Sequence, residues 1–175
     1  MIPRKVSRRL LVLSLLLALP ALPALAQDAS YKSDILADLA DLEEKIVGLA
    51  EAIPADKYSW SPSEGVRTAS QALMHTANAN YFFPTMFGAA AAGKGNLEAI
   101  TDKDQAVNEL KASFAHLKTA IEGVDEARLG ESIDMFGRQA TLSGALHAAL
   151  AHNHEHLGQM IAYARSMGVV PPWSQ

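Results

Sequence analysis

Residues 141–168, TLSGALHAALAHNHEHLGQMIAYARSMG, decide the fold. They have the pattern of one long amphipathic helix with a residue suited to helix capping at each end. Thr141 is suited to cap the amino terminus of this helix, and Gly168 is suited to the position just past its end. Pro171 and Pro172 then prevent its continuation. Apolar residues recur at helical spacing. They are Leu146, Leu150, Leu157 and Ile161.

Three earlier segments carry the same helical period and are expected at about residues 33–52, 69–92 and 101–123. Pro54 closes the first, and Pro84 predicts a kink inside the second. Residues 101–104, TDKD, resemble a capping box that begins the third helix at Thr101. The connections at 55–67 and 124–140 are longer than a hairpin needs, and the second has extended character at 133–136. The sequence therefore predicts an all-α four-helix bundle.

The first 26 residues have the features of a secretory signal peptide. A basic region at residues 4–9 precedes a leucine-rich stretch at 10–19, and Ala24 and Ala26 form a small-residue cleavage site. The apolar stretch is short for a membrane span, which needs about 20 residues. Arg8-Arg9 is compatible with twin-arginine export, although the leucine-rich stretch favours the ordinary route. We expect an exported, periplasmic or extracellular protein without a stable membrane anchor, whose single domain covers 27–175.

Charge and cysteine content restrict the functions open to the chain. Removal of the four basic residues before Ala26 takes the formal net charge from −4 to −8, so nucleic acid is an unsuitable partner. The sequence contains no cysteine, which excludes disulfides and thiolate ligands. Any metal site must consist of histidines and carboxylates.

The histidines of the last helix separate into two groups by helical geometry. At about 100° per residue, His152 and His156 lie roughly 40° apart on adjacent turns. They fall at the edge of the apolar face, whereas His154 and His147 face the solvent side. Two imidazoles so placed can chelate one ion, but a stable site needs a third protein ligand.

His75 is the best candidate for the third ligand. It shares a face of the second helix with apolar residues and is expected to point inward. These residues are Ala72, Ala79, Phe82 and Met86. A lone inward histidine is often a hydrogen-bonded core residue, while three clustered imidazoles need a cation or hydrogen bonds to compensate for lost solvation. The residue pattern by itself leaves both interpretations open.

A competing motif is the string His152-x-x-Glu155-His156, which matches the H-x-x-E-H pattern of inverted zinc proteases. In such an enzyme Glu155 is the general base. Here Glu155 lies about 60° from His152 and about 100° from His156, on the side away from the core. The helix offers no other carboxylate to complete the site, so the protease interpretation is disfavoured.

Several segments resemble the DinB/YfiT-like superfamily. Residues 146–159, LHAALAHNHEHLGQ, resemble its last helix, with His-x-x-x-His followed by x-Gly-Gln. Residues 73–82, LMHTANANYF, are similar to its second helix, and 53–67, IPADKYSWSPSEGVR, to its first connection. MFGR at 135–138 and GVVPP at 168–172 also fit, so the resemblance covers nearly all of the chain after the signal.

The resemblance implies an up-down-down-up bundle that holds one divalent metal ion, usually zinc or nickel, on His75, His152 and His156. It also implies a metal-dependent hydrolase or a thiol S-transferase with a small-molecule substrate, and it allows a homodimer. Candidates for orienting or catalytic roles are Gln159, Tyr163, Asn78 and Glu155. The alternative is a non-catalytic metal- or ligand-binding bundle of the cell envelope. Its apolar pocket would use Phe82, Phe83, Met86 and Phe87.

Overall fold

The computed structural model describes residues 30–174. The predicted signal peptide at 1–26 lies outside this range. No helix in the described range is long and apolar enough to cross a membrane.

Four helices form the domain, and each begins at a side-chain cap. They are α1 (Tyr31–Ala52), α2 (Ala69–Met86), α3 (Lys103–Glu122) and α4 (Leu142–Ser166). Ser30 and Thr68 form full capping boxes with the residues three positions later. Thr141 accepts a hydrogen bond from the amide of Gly144 at 3.1 Å, which confirms the predicted start of α4. Gly168 has a φ of +78°, as expected for a glycine just past the helix end.

Two predicted helix boundaries and one predicted cap are wrong. α1 begins two residues early, at Tyr31, because Ser33 is the partner of the Ser30 cap and lies within the helix. Asp102 caps α3 by accepting from the Gln105 amide at 2.9 Å, so Thr101 lies outside the helix.

The second helix ends at Met86 and not near residue 92. Gly88 follows with a φ of +94°, a conformation that breaks the helix, and residues 89–96 are irregular. The kink predicted at Pro84 inside a longer helix is thus replaced by an early helix end.

The helices run up, down, down, up, as predicted. α2 and α3 are parallel neighbours, α1 and α4 are parallel neighbours, and the other two adjacent pairs are antiparallel. Side-chain contacts between the helices establish this order. Antiparallel packing is shown by Glu51–Lys111 and Glu43–Lys118 between α1 and α3, and by His75–His156 and Phe83–His152 between α2 and α4. Parallel packing is shown by Ser70–Ile100 and Tyr81–Glu109 along α2 and α3, and by Tyr31–Ser143 where α1 and α4 begin.

A short β-hairpin lies in the connection before α4. Its strands are β1 (Ser132–Met135) and β2 (Arg138–Thr141), which pair antiparallel with Met135 opposite Arg138. Phe136 and Gly137 form the turn with φ values of 57° and 79°. The expected extended stretch at 133–136 therefore belongs to a hairpin, whose second strand ends at the cap of α4.

A polar cluster lies inside the bundle where α2, α3 and α4 meet. Asn80, Ser113 and Asn153 are fully buried. The side-chain amide of Asn153 donates to Asn80 Oδ1 at 2.8 Å, and that of Asn80 donates to Ser113 Oγ at 3.1 Å. We call these three residues the amide cluster; the rest of the bundle interior is mainly apolar.

Candidate metal centre

Three histidines converge between α2 and α4. The ring centroids of His75 and His152 are 5.4 Å apart, those of His75 and His156 are 4.9 Å apart, and those of His152 and His156 are 4.4 Å apart. One ring nitrogen from each residue lies within 4.8 Å of the other two, which is close enough for all three to bind one metal ion. His156 is buried, and His75 and His152 are half-buried.

Helix geometry brings these residues together and keeps the other histidines away. His152 and His156 are one turn apart on α4, and antiparallel packing places His75 of α2 opposite them. His147 and His154 are exposed on the other side of α4, as their helical angles predict. His116 lies on α3 and packs against the ring of Tyr81 on α2, outside the cluster.

Acceptor groups orient two of the three rings. His75 Nδ1 lies 3.3 Å from a carboxylate oxygen of Glu98, and His156 Nδ1 lies 2.7 Å from the side-chain oxygen of Gln159. Because both partners are oxygen acceptors, each Nδ1 must carry the hydrogen. The lone pair of each neutral ring is then on Nε2. Outer partners of this kind commonly fix the tautomer of histidines that bind metal ions.

The Nε2 atom of His152 is the unexplained polar atom of the centre. It is buried and has no hydrogen-bond partner within the described part of the chain. A buried polar atom without a partner costs roughly 1–3 kcal/mol. A divalent cation bound to this nitrogen would remove the deficit, so the donor set fits a metal ion of the kind that prefers imidazole.

The electrostatics keep His75 and His152 neutral at pH 7. Burial, together with the neighbouring His156 and His75, lowers the pKa of His152 to about 4 against the opposing effect of Glu155. Burial also lowers the pKa of His75, with help from Arg67 and His156, while Glu98 opposes the shift. Neutral rings keep the lone pairs that a metal ion requires.

A hydrogen-bond chain links the centre to the connection between α1 and α2. Gln159, which orients His156, donates to Tyr163 Oη at 3.1 Å, and the Tyr163 hydroxyl donates to the backbone carbonyl of Arg67 at 3.2 Å. The ring of Trp60 packs edge-on against Tyr163, with centroids 5.2 Å apart. α4 and the connection are therefore held together beside the histidines.

An open cleft lies beside the centre on this side. Polar side chains make up most of its wall. The lining residues are Gly65, Val66, Arg67, Gln71, Glu98 and Gln159. Since Glu98 and Gln159 each contact a histidine of the cluster, the cleft adjoins the centre. We call it the polar cleft.

The opposite side of the centre is aromatic. Phe83 is buried, and its ring lies 5.7 Å from that of His152. Phe82 was predicted to point inward, but it is 47 % exposed and its ring stacks on Phe136 at the hairpin tip. The prediction fails because the partner that covers Phe82, the ring of Phe136, is itself 69 % exposed and leaves Phe82 open to solvent.

The remaining candidates have different surroundings. Gln159 and Tyr163 belong to the hydrogen-bond chain described above. Asn78 is half-buried and Glu155 is exposed. Met86 is half-buried, and Phe87 is buried in the core.

Two residues beside the centre, Glu98 and Arg67, were not identified from the sequence. Glu98 lies in a short 3-10 turn, Leu97–Ala99, 23 residues after His75. No periodic pattern relates it to the histidines, since only the packing of the α2–α3 connection brings it close. Arg67 lies in a segment that matched the superfamily, but the pattern gives it no role.

Together, an up-down-down-up bundle and a three-histidine group between α2 and α4 define a class of helical proteins with a potential metal centre. The family model described as the DinB superfamily matches residues 38–160. The chain therefore belongs to the DinB superfamily.

Similar proteins agree with this assignment. The uncharacterized protein YjoA of Bacillus subtilis strain 168 is 30 % identical over 125 residues, which cover 69 % of this chain and 80 % of YjoA. The crystal structure of YjoA, a DinB-like protein, matches with a TM-score of 0.64 at 23 % identity and covers 81 % of this chain and 97 % of YjoA. A DinB-like protein from Bacillus cereus matches with a TM-score of 0.73 at 18 % identity, over 82 % of this chain and 98 % of its own. These structures support the fold.

Proposed function

We propose that this protein is an exported metal-dependent enzyme, a hydrolase or a transferase of small molecules, with one zinc or nickel ion on His75, His152 and His156. The observation that carries the proposal is the convergence of three imidazoles, one of which has a buried Nε2 atom without a partner within the described residues. Hydrogen bonds to Glu98 and Gln159 leave the Nε2 atoms of the other two rings available as ligands.

The side chains around the site have separable tasks. When bound, a divalent cation with three protein ligands supplies a Lewis acid with an open position for water, a thiol or a carbonyl group. Glu98 holds the Nδ1 proton of His75, and Gln159 holds that of His156. Tyr163 fixes Gln159 in turn. Phe83 keeps water from the His152 side of the centre.

The polar cleft favours an enzyme over a non-catalytic metal-binding bundle. A purely structural site is closed by its ligands, whereas a catalytic one needs room for a substrate. Here the cleft adjoins the ligands, and His75 is only half-buried. Export makes the hydrolase more suitable than the thiol transferase, because small thiol cofactors belong to the reducing cytosol.

Metal analysis of the purified protein tests the centre. Wild type loaded with zinc or nickel is expected to retain one ion per chain after gel filtration. His75→Ala and His152→Ala should weaken binding by more than about 100-fold, because loss of a ligand exceeds the effect of an outer partner. His154→Ala is the matched control, since His154 lies on the same helix but faces solvent.

Equal metal content in wild type, both ligand variants and the control would refute the proposal. Catalysis needs its own assay, in which loaded wild type and His152→Ala are screened against ester, amide and thiol-conjugation substrates. An active His152→Ala variant would show that any activity arises elsewhere.

Mass spectrometry of the exported protein tests cleavage of the signal peptide, since we expect the mature chain to begin at Gln27.

A further inference from the structure

Arg67 supplies the cationic side chain among the described residues that line the polar cleft. Its Nε atom lies 3.3 and 3.4 Å from the two carboxylate oxygens of Glu98. The side chain is 44 % exposed, and its two Nη atoms make no hydrogen bond within residues 30–174. The planar pair of Nη donors, which suits a carboxylate or a phosphate, is thus free to bind a ligand.

The backbone at Arg67 is fixed by the same network that orients the metal centre. Its carbonyl accepts the hydroxyl of Tyr163, which is linked through Gln159 to His156. The next residue, Thr68, is held by the capping box at the start of α2. The base of the Arg67 side chain therefore has a fixed position relative to His156, as a substrate-binding group requires.

The amino terminus of α2 does not supply an alternative anion site. Its first amides are already used, because Ala69 N donates to Trp60 O at 2.9 Å and Ser70 N donates to Tyr58 O at 3.0 Å. The Gln71 amide donates to the Thr68 side chain at 3.2 Å. The guanidinium group of Arg67 is therefore the charged donor that the cleft offers to an anion.

Metal binding would reverse the sign of the local charge. Among the described groups that act on His75 and His152, Arg67 brings one positive charge, and Glu98 and Glu155 bring two negative charges. A divalent cation on the histidines would make this sum positive, although the chain has a formal net charge of −4. A positive site concentrates small anions.

From these observations we propose that Arg67 binds an oxyanion group of the substrate, so that the enzyme acts on small molecules that carry a carboxylate or a phosphate beside the reacting group. This inference rests on the proposed metal centre. Arg67 Nη1 and Nη2 would hold the oxyanion in the polar cleft while the reacting group lies at the open position near the histidines. Glu98 would hold the guanidinium and His75 at the same time.

Anion binding to the cobalt-loaded protein tests the role of Arg67. Inorganic phosphate and acetate are titrated separately at constant ionic strength, and binding is followed by calorimetry and by the visible spectrum of cobalt. Wild type should bind at least one of the two anions, and Arg67→Gln should weaken that binding by about tenfold or more, the usual effect of losing a hydrogen bond to a charged group. Arg67→Lys should be intermediate, because it keeps the charge without the paired donors.

The control is Arg128→Gln, which removes the same charge at an exposed ion pair with Glu131 outside the cleft. It should bind both anions as wild type does. A preference for phosphate would identify a phosphorylated substrate class, and a preference for acetate would identify a carboxylic acid.

Metal content, measured before any anion is added, separates the two proposals. If wild type holds cobalt but Arg67→Gln binds the anions as tightly as wild type, the role of Arg67 is refuted while the metal centre stands. If Arg67→Gln loses cobalt, Arg67 acts by positioning Glu98, and the proposal is also overturned. If wild type holds no metal, the proposed function and this inference fail together.

Discussion

The three-histidine centre and the amide cluster are two polar regions inside one bundle. They differ in how their buried polar atoms are hydrogen-bonded. Both join α2 to α4, and His152 and Asn153 are consecutive residues. In the amide cluster, Asn153 and Asn80 donate to other protein groups, although Asn153 Oδ1 has no partner within residues 30–174. In the centre, the Nδ1 atoms of His75 and His156 are bonded, and the buried Nε2 atom of His152 has no partner within the same residues.

This difference shows how one pair of helices holds both a structural and a candidate functional site. A network of neutral amides that bond to each other stabilises one helix pairing. A cluster of imidazoles that leave lone pairs free has the donor atoms that a cation can bind. The adjacent residues His152 and Asn153 can therefore be changed separately to test each role.

Metal-linked stability gives the largest expected contrast. Free zinc at about 1,000 times its dissociation constant should stabilise wild type by about 4 kcal/mol, because the ion binds only the folded protein. His152→Ala should gain almost nothing, and Asn153→Ala should gain as much as wild type. Urea unfolding with zinc and with a chelator measures the three values. A full zinc effect in His152→Ala would contradict the proposed ligand set.

The amide cluster should matter for stability without metal. Asn153→Ala leaves Asn80 Oδ1 buried without its donor, and we expect a loss of about 2 kcal/mol in the free energy of unfolding. Chemical unfolding of the chelator-treated protein provides the measurement. Asn80→Ala combined with Asn153→Ala should lose less than the sum of the single changes, since both partners are then absent. Strict additivity would mean that the two amides act independently.

Removal of an outer partner should weaken the centre without abolishing it. Glu98→Ala takes the acceptor from His75 Nδ1, and we expect a loss of metal affinity of about tenfold, near 1.4 kcal/mol. Competition with a zinc chelator measures this change. Glu109→Ala is the matched control, because Glu109 is also half-buried but bonds to Lys94 and Tyr81. Equal losses in the two variants would mean that the effect comes from general charge.

Acid should act on the histidine centre and not on the neutral amides. In the metal-free protein the pKa of His152 is about 4, below its usual value near 6.5, owing to burial and the neighbouring His156 and His75, with Glu155 opposing and Arg67 assisting. Between about pH 4 and pH 6.5 the His152 imidazole binds a proton more readily in the unfolded chain than in the folded one. The contribution of His152 to the free energy of unfolding is therefore retained above about pH 6.5 and lost as the pH falls towards about 4.

The contribution of His152 to this loss should be about 1 kcal/mol, because solvent screens a half-buried ring. Urea unfolding of metal-free wild type and His152→Ala near pH 7 and near pH 4.5 isolates it. The variant should lose less stability than wild type over this interval. An identical loss in both proteins would assign the acid sensitivity to other groups.

Helical geometry made much of this protein predictable from its sequence. The spacing of His152 and His156, the cap at Thr141 and the glycine at 168 follow from rules that act within one turn. The position of Phe82 was not predictable in the same way. Its face on α2 is correct, but exposure depends on how far α4 and the hairpin cover that face.

The sequence by itself determined the four helices, the pairing of two histidines on one face, and the exclusion of His147 and His154. Those features depend on local periodicity, which a single segment contains. Only the tertiary structure decided that Glu98 orients His75, that Arg67 meets Tyr163 beside the adjoining cleft, and that Asn80 meets Asn153. These contacts join residues 23 to 96 positions apart, and tertiary packing alone brings them within hydrogen-bond distance.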